Sequence, residues 1–338
     1  MAISDTQDII VIGGSAGSSG PLRQLLAALP ADLPASVFVS THIPSHAPSL
    51  LADILAGGAA LPVAQALDGQ PIQRGRVYVA APDRHLLLID GTVKLGVGPR
   101  ENMSRPSIDP FFRSAAMSYG PRVIGVLLSG MLNDGAAGLR AIKSQGGTAV
   151  VQHPMDAEAD QMPLSALEAV NVDHVASAAD LGSLLASLAG NPAGAAGPAD
   201  DVLALEVDIA AGSRLGSGRL RQVASPSPLS CPDCSGVLSE MNDPPLRYRC
   251  QIGHAYSAET LVAQIDQVDE AIRVAMRMME ERVTLVERMA TDAIQTGRSA
   301  VAELYEARAK EYRSYAATLR EAAITSLRLG GAPREQDI

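Results

Sequence analysis

The chain has 338 residues, of which 47% are hydrophobic and 19% charged, and its 27 Lys and Arg against 37 Asp and Glu leave a formal net charge of −10. That length suits two domains, one of them large enough to bury a core without disulfides. The negative balance and an aromatic content of 3% with no Trp argue against nucleic acid as a partner, whether held by bulk charge or by base stacking. No apolar run approaches the ~20 residues of a membrane-spanning helix, and no basic region precedes the first apolar stretch. The three cysteines all lie between residues 231 and 250. The expectation is therefore a cytoplasmic protein without membrane insertion, carrying a local metal site in a reducing compartment.

Residues 8–13 (DIIVIG) read as a short buried strand that ends in glycines and runs into a helical pattern, PLRQLLAALP. The alternation recurs at 35–42 (ASVFVSTH) before SLLADILAGG, at 122–130 (RVIGVLLSG) before DGAAGLRAIKSQGG, at 148–153 (TAVVQH) before PLSALEAV, and ends with ADLGSLLASLAG. Fully apolar strands alternating with helices predict a doubly wound α/β domain with a mostly parallel sheet over residues 1–190. Between the second and third of these units, HLLLID and TVKLGV flank Asp90-Gly91, which predicts an inserted β-hairpin.

From residue 191 to 229 the chain turns rich in Ala, Gly, Pro and Ser around one apolar island (VLALEVDIAAG), and this stretch is predicted to be a linker. A cysteine knuckle is expected over 230–256. Two long helical patterns without proline then fill 257–330, with Gly297 between them, which predicts an αα-hairpin. Its apolar stripes suit packing within the hairpin, a homo-oligomer through these helices, or a partner helix.

The turn after the first strand reads Gly13-Gly14-Ser15-Ala16-Gly17. A dinucleotide fingerprint would need G-x-G-x-x-G, and Ser18 stands where its last Gly belongs. The alternative, G-x-S-x-G, exposes a serine hydroxyl at the carboxyl edge of the sheet beside backbone N–H groups able to hold an oxyanion; a purely structural turn remains open. A serine nucleophile needs a base, and the base an orienting acceptor. His42 ends the second strand and belongs at the same edge as Ser15, with His153 the next choice; His46 suits a surface, His85 heads a hairpin strand, and His174 suits core or surface. Asp134, after VIGVLL, supplies the acid, or else caps the helix that follows it.

IGGSAG (12–17), THIP (41–44), YVAAPDRHLLL (78–88), RPSIDPFFRS (105–114), GVLLSGMLNDGAAGL (125–139) and QMPLSAL (161–167) occur in an order that resembles the catalytic domain of the CheB chemotaxis methylesterases, over about residues 8–190. The resemblance implies Ser15 as nucleophile, His42 as general base, Asp134 as its orienting carboxylate, and the backbone N–H groups of Ala16 and Met131 as oxyanion donors. It implies hydrolysis of glutamate γ-methyl esters on chemoreceptor-type helices, with glutamine deamidation by the same acyl-enzyme route and no cofactor for catalysis. Arg105 and Arg113, near Arg100, are candidate contacts for an acidic receptor helix, although Arg105 and Asp109 could instead pair with each other. Two departures stand out. Ala16 occupies a position where these enzymes often carry Thr, and only 14 residues precede Ser15, so the receiver domain that usually precedes this domain, with its phosphorylation control, is expected to be absent.

Cys231-x2-Cys234, then 15 residues, then Cys250-x3-His254 has the spacing of a four-ligand structural zinc site. A redox CxxC would leave Cys250 and His254 without a role. Besides the esterase, two readings stay open: a chemosensory interaction protein with a vestigial pocket, and a hydrolase of an unrelated ester or amide.

Overall fold

A computed structural model describes residues 6–45, 49–198, 200–214, 216–263 and 265–330. The chain divides between Thr260 and Leu261 into two compact units. The first begins with β1 (Ile9–Gly14), α1 (Ser19–Ala28), β2 (Ser36–Thr41), α2 (Leu51–Ala56), β3 (Val63–Gln65) and β4 (Val77–Val79). A hairpin of β5 (His85–Ile89) and β6 (Thr92–Gly96) comes next, then α3 (Ile108–Tyr119), β7 (Val123–Leu127) and α4 (Ala136–Ser144). β8 (Thr148–Gln152), α5 (Gln161–Ala169), β9 (His174–Ala176) and α6 (Ala178–Leu188) complete the α/β part.

Seven of these strands make one parallel sheet in the order β3-β4-β2-β1-β7-β8-β9. Alternation along the strands divides the apolar side chains between two cores. Ile9 and Val11 of β1 join Phe111, Phe112 and Leu139 on one face, while Ile10 and Ile12 join Leu22, Leu25, Leu181 and Leu185 on the other. Each such side chain contributes roughly 1.5–3 kcal/mol on burial, so covering both faces is what holds the sheet. The chain leaves β1 for β2 on one side and later returns to β7 on the other. The carboxyl end of β1 is thus a topological switch point, where α/β sheets open a crevice.

The expected hairpin is present, with Asp90 (φ 48°) and Gly91 (φ 77°) both left-handed at its two-residue turn. β3 and β4, which precede the hairpin, lie at the edge of the parallel sheet. The RPSIDPFFRS segment forms α3, whose Pro110 lies in the first turn, where its missing N–H costs nothing.

The predicted linker is corrected. Residues 191–229 include α7 (Asp201–Ala211), α8 (Ser217–Val223) and most of β10 (Ala224–Ser230). α7 is capped by the Asp200 carboxylate and buries Leu203, Leu205, Glu206, Val207, Ile209 and Ala210. An island of three helical turns, buried nearly all round, was hidden by the flexible composition on either side. β10, β11 (Val237–Met241), β12 (Arg247–Cys250) and β13 (Ala255–Ser257) follow one another in an antiparallel sheet, so the cysteine module begins at Ala224 and is part of the first unit.

α9 (Ala258–Val262) leads out of this sheet. The second unit pairs α10 (Ile265–Gln295) with α11 (Ser299–Gly330), turning at Gly297 (φ 74°). Arg298 N–H reaches back to the Ala293 carbonyl and Gly297 N–H to that of Ile294, closing the end of α10 with a left-handed glycine. Ala302, Ala309 and Ala316 are buried at seven-residue spacing along the seam with Val286, Ala290 and Ala293. Among the described residues no helix is long and apolar enough to cross a membrane.

Candidate active site and cysteine cluster

The sheet order β2-β1-β7 sets three loops side by side at one edge, and each carries one of the expected groups. β1 and β2 run in register from Ile9↔Ser36 to Gly14↔Thr41, so the next residues, Ser15 and His42, emerge together. Ser15 Oγ lies 3.0 Å from His42 Nδ1, and His42 Nε2 lies 2.7 Å from Asp134 Oδ2. Because a carboxylate only accepts, Nε2 carries the proton and Nδ1 is left to accept from the serine hydroxyl.

Asp134 is buried, and burial alone would raise its pKa. The hydrogen bond and charge of His42, the Ile108 N–H and Asn102 outweigh that and hold the carboxyl well below the usual carboxylate range. It accepts from Ile108 N (2.7 Å), Asp109 N (3.1 Å), Ser107 Oγ (2.9 Å) and Asn102 Nδ2 (2.9 Å). Asp134 therefore caps α3, not the helix that follows it. That helix, α4, is capped by Asp109, which accepts from Gly135 N (3.0 Å) and Gly138 N (2.7 Å). The two acids cap each other's helices, so each accepts N-terminal N–H groups that the helix itself leaves unpaired.

The serine turn is fixed from below. Ser15 N–H donates to the Ser129 carbonyl (2.9 Å), and Ser129 Oγ donates to the Ala16 carbonyl (2.8 Å). Ser129 N–H is held by Gln152 Oε1 at 2.9 Å. Gly17 has φ 73°, and a Cβ on Gly130 would sit 3.1 Å from Ser15 Cβ, so glycine at both positions is what lets the two loops meet. Among the described residues the N–H groups of Ala16 and Met131 have no hydrogen-bond acceptor, and both residues are exposed.

Other expected residues are placed elsewhere. Arg113 is buried, paired with Glu101 and 3.6 Å from Glu206, so it cannot meet a substrate. Arg105 commits its guanidinium to Asp83 Oδ1 (2.7 Å) and the Gly98 carbonyl (2.8 Å) and does not pair with Asp109. Arg100 is half-exposed and 3.9 Å from Asp233. His85 is fully buried, with Nε2 donating to the Pro99 carbonyl (2.9 Å), and burial above all lowers its pKa. His153 is exposed and accepts from Met155 N, away from Ser15; His174 begins β9, half-buried; His46 lies outside the described residues. The reading of residues missed Asn102, Ser107, Ser129 and Gln152, which hold the acid and the turn. Ser107, within RPSID, and Ser129, within GVLLSGMLNDGAAGL, had a local signal, whereas Asn102 and Gln152 had none.

Residues 10–185, more than half of the chain, match the CheB methylesterase family. The chain belongs to that family. A putative protein-glutamate methylesterase/protein-glutamine glutaminase of Leptospira interrogans is 40% identical over 182 residues, which cover 54% of this chain and 94% of the relative. Protein-glutamate methylesterase/protein-glutamine glutaminase 2 of Anaeromyxobacter dehalogenans is 39% identical over 168 residues, 50% of this chain and 49% of that protein. The crystal structure of the Thermotoga maritima CheB methylesterase catalytic domain superimposes with a TM-score of 0.52 at 32% identity, covering 54% of this chain and 99% of that one. CheB methylesterases are carboxylic ester hydrolases, so an enzyme class accompanies the family.

The cysteine module lies beyond the family match. Cys231, Cys234, Cys250 and His254 each present one donor atom, all within 4.8 Å of one another. Cys234 Sγ and Cys250 Sγ are 3.7 Å apart, and His254 Nδ1 lies 3.5 Å from Cys250 Sγ and 3.7 Å from Cys231 Sγ. A tetrahedron with Zn–S of ~2.3 Å and Zn–N of ~2.0–2.1 Å has edges of about 3.5–3.8 Å, so the donor set fits that ion. The separation is far too long for a disulfide, and the cysteines are free thiols.

The module is docked on the α/β part through buried charge. Arg249 Nη2 bridges Glu101 Oε1 (3.0 Å) and Glu206 Oε1 (2.8 Å), and Arg247 Nη1 holds Glu206 at 2.8 Å. With Arg113, these five side chains come from β12, α7, α3 and the segment before α3. Burial would raise both glutamates, but the facing arginines reverse this and hold them below their ordinary value.

Proposed function

We propose that this protein hydrolyses glutamate γ-methyl esters on chemoreceptor-type helices, and deamidates glutamine by the same route, with Ser15, His42 and Asp134 as a catalytic triad. The observation that carries the reading is the 3.0 Å and 2.7 Å pair of contacts that runs from Ser15 through His42 to Asp134, at the switch point of a sheet whose family is esterolytic. His42 Nδ1 takes the proton from Ser15 Oγ as that oxygen attacks the ester carbonyl, and the imidazolium so formed is stabilised by Asp134. The carbonyl oxygen, now negative, is received by the N–H groups of Ala16 and Met131; one such donor is worth ~10²–10³ in rate. Collapse of the tetrahedral adduct returns the proton to departing methanol, or to ammonia from an amide. Water repeats the cycle and frees the carboxylate. Proton transfer by a positioned base adds ~10²–10⁴.

Cys231, Cys234, Cys250 and His254 would hold a structural Zn²⁺. Four protein ligands leave no open position, so the ion would tie two turns together and take no part in hydrolysis.

The experiment pairs methanol release from methylated receptor helices with labelling by a fluorophosphonate, in wild type and Ser15→Ala. Loss of both signals with an unchanged melting temperature is expected. Undiminished methanol release in the variant would overturn the triad, and labelling of wild type without methanol release would move the activity to another ester.

A further inference from the structure

The cysteine module meets the loops of the active site at Asn102. Asn102 lies in a tight turn between Glu101 and Ser104, with φ 48°, followed by Met103 at φ 63°. Two successive non-glycine residues in the left-handed region are held only where surrounding contacts over-determine them. For Asn102 the contacts are complete. Its N–H donates to the Ala255 carbonyl (2.8 Å), its Oδ1 accepts from Ser257 N–H (3.0 Å), and its Nδ2 donates to Asp134 Oδ1 (2.9 Å) and Asp109 Oδ2 (3.1 Å). The amide has one orientation available: a backbone N–H requires the oxygen on one side, and two carboxylates require the NH₂ on the other.

Both partners of Asn102 on the module side belong to β13, whose first residue directly follows His254. β13 is laddered to β12, which ends on Cys250, and Cys250 N–H donates to the His254 carbonyl (3.0 Å). From a donor atom of the cysteine cluster to the Asp134 carboxylate the path is one residue of chain, one hydrogen bond to Asn102, and one from its amide. β13 and the start of α9 also grip the Asp134 loop directly, since Ser257 Oγ donates to Asn133 Oδ1 and Asn133 Nδ2 donates to Glu259 Oε2 (2.6 Å).

We infer that Asn102 is a positioning residue for the Ser15–His42–Asp134 set and that the metal-bound cysteine module holds it in place. The inference rests on the triad and metal readings proposed above. It gives the C-terminal module, which the family match does not include, a role in catalysis: binding of a divalent metal at the four ligands sets the strand that aims the Asn102 amide, and the amide fixes the Asp134 oxygen that His42 does not use.

The test uses the full chain, as wild type, Asn102→Ala and Asn102→Asp, each with Zn²⁺ bound, after stripping by a chelator, and after Zn²⁺ is restored. Three quantities are read: kcat and KM on a methylated receptor-helix peptide, the low-field proton resonance of the His42–Asp134 hydrogen bond, and hydrogen exchange over residues 99–104. In wild type, stripping is expected to lower kcat about tenfold or more with KM little changed, because misplacement of a supporting group is felt at the transition state. The resonance shifts, exchange over 99–104 rises, and restored Zn²⁺ reverses all three. In Asn102→Ala, kcat starts low and stripping changes it less than about twofold, the non-additivity of residues on one path. Asn102→Asp keeps the acceptor for Ser257 N–H but has no donor for Asp134. It reproduces the displaced resonance, and it decides the matter should the alanine variant fail to fold. An emptied site with unchanged kcat and resonance, or an equal loss on stripping in Asn102→Ala, overturns the inference. Wild type purified without metal would overturn the metal reading with it, and full turnover by Ser15→Ala the triad reading.

Discussion

Asp134 accepts from five donors, namely His42, Asn102, Ser107 and the first two N–H groups of α3, while Asp109 beside it is left as the group that burial disfavours. Burial, and next the Asp134 charge, push the Asp109 carboxyl up to about 7. A folded-state value above the ordinary ~3.9 means that the stability this group contributes is complete below about pH 4 and is lost as the pH rises towards 7. Asp134, Glu101 and Glu206 act in the opposite sense: their values are lowered, so their contribution stands above about pH 4 and is lost on acidification. Asp109→Asn is therefore expected to flatten the decline in melting temperature between pH 5 and 8 and to leave the acid-side loss in place. Melting curves across that range check it, and an unchanged slope would mean that Asp109 is ionised in the folded protein throughout. At this scale the sequence was half legible. Ser15, His42 and Asp134 each follow an apolar run that reads as a strand, so one edge could be predicted for all three. The other partners of Asp134 come from residues 102 and 107–109, and nothing in a sequence says which turn will face which carboxylate.

Elements were legible wherever apolar runs alternate cleanly, as in β1, β2, β7 and β8, because strands buried on both faces must be continuous in Val, Ile and Leu. They were illegible where composition and burial disagree. α7 sits among Ala, Gly and Pro, yet Leu203 is 5% exposed and belongs to the core that also contains Phe111 and Phe112. Arg113 was misread for the same reason: a charged residue in an exposed-looking motif is paired out of sight by Glu206, a residue of the supposed linker. Leu203→Ala discriminates. In a linker it would change stability by less than ~0.5 kcal/mol, whereas removing a packed leucine costs about 2–5 kcal/mol. Denaturant unfolding of the full chain is expected to show a loss in the second range.

For the whole molecule, the sequence suggested a catalytic domain and a zinc knuckle joined by flexible chain, and hence two separate transitions. Glu101, Arg113, Glu206, Arg247 and Arg249 instead form one buried set across that boundary. Chelation is accordingly expected to lower the temperature of the main transition of the α/β part, measured by calorimetry, and not merely to abolish a small separate one. Breaking a buried ion set on one side costs about 3–5 kcal/mol, which is the scale of shift to look for. The same set constrains how such a chain can have arisen and how it can be recombined. Glu101 and Arg113 sit on the family's side of residue 185, whereas Glu206, Arg247 and Arg249 sit beyond it, and each side supplies counter-charges for the other. A gene cut at the edge of the homologous region would leave one half with an arginine and a glutamate exposed on a face shaped to be covered. The halves are therefore expected to be inherited together and to drift in concert, since a reversal of sign at Glu101 would set it against both Arg113 and Arg249.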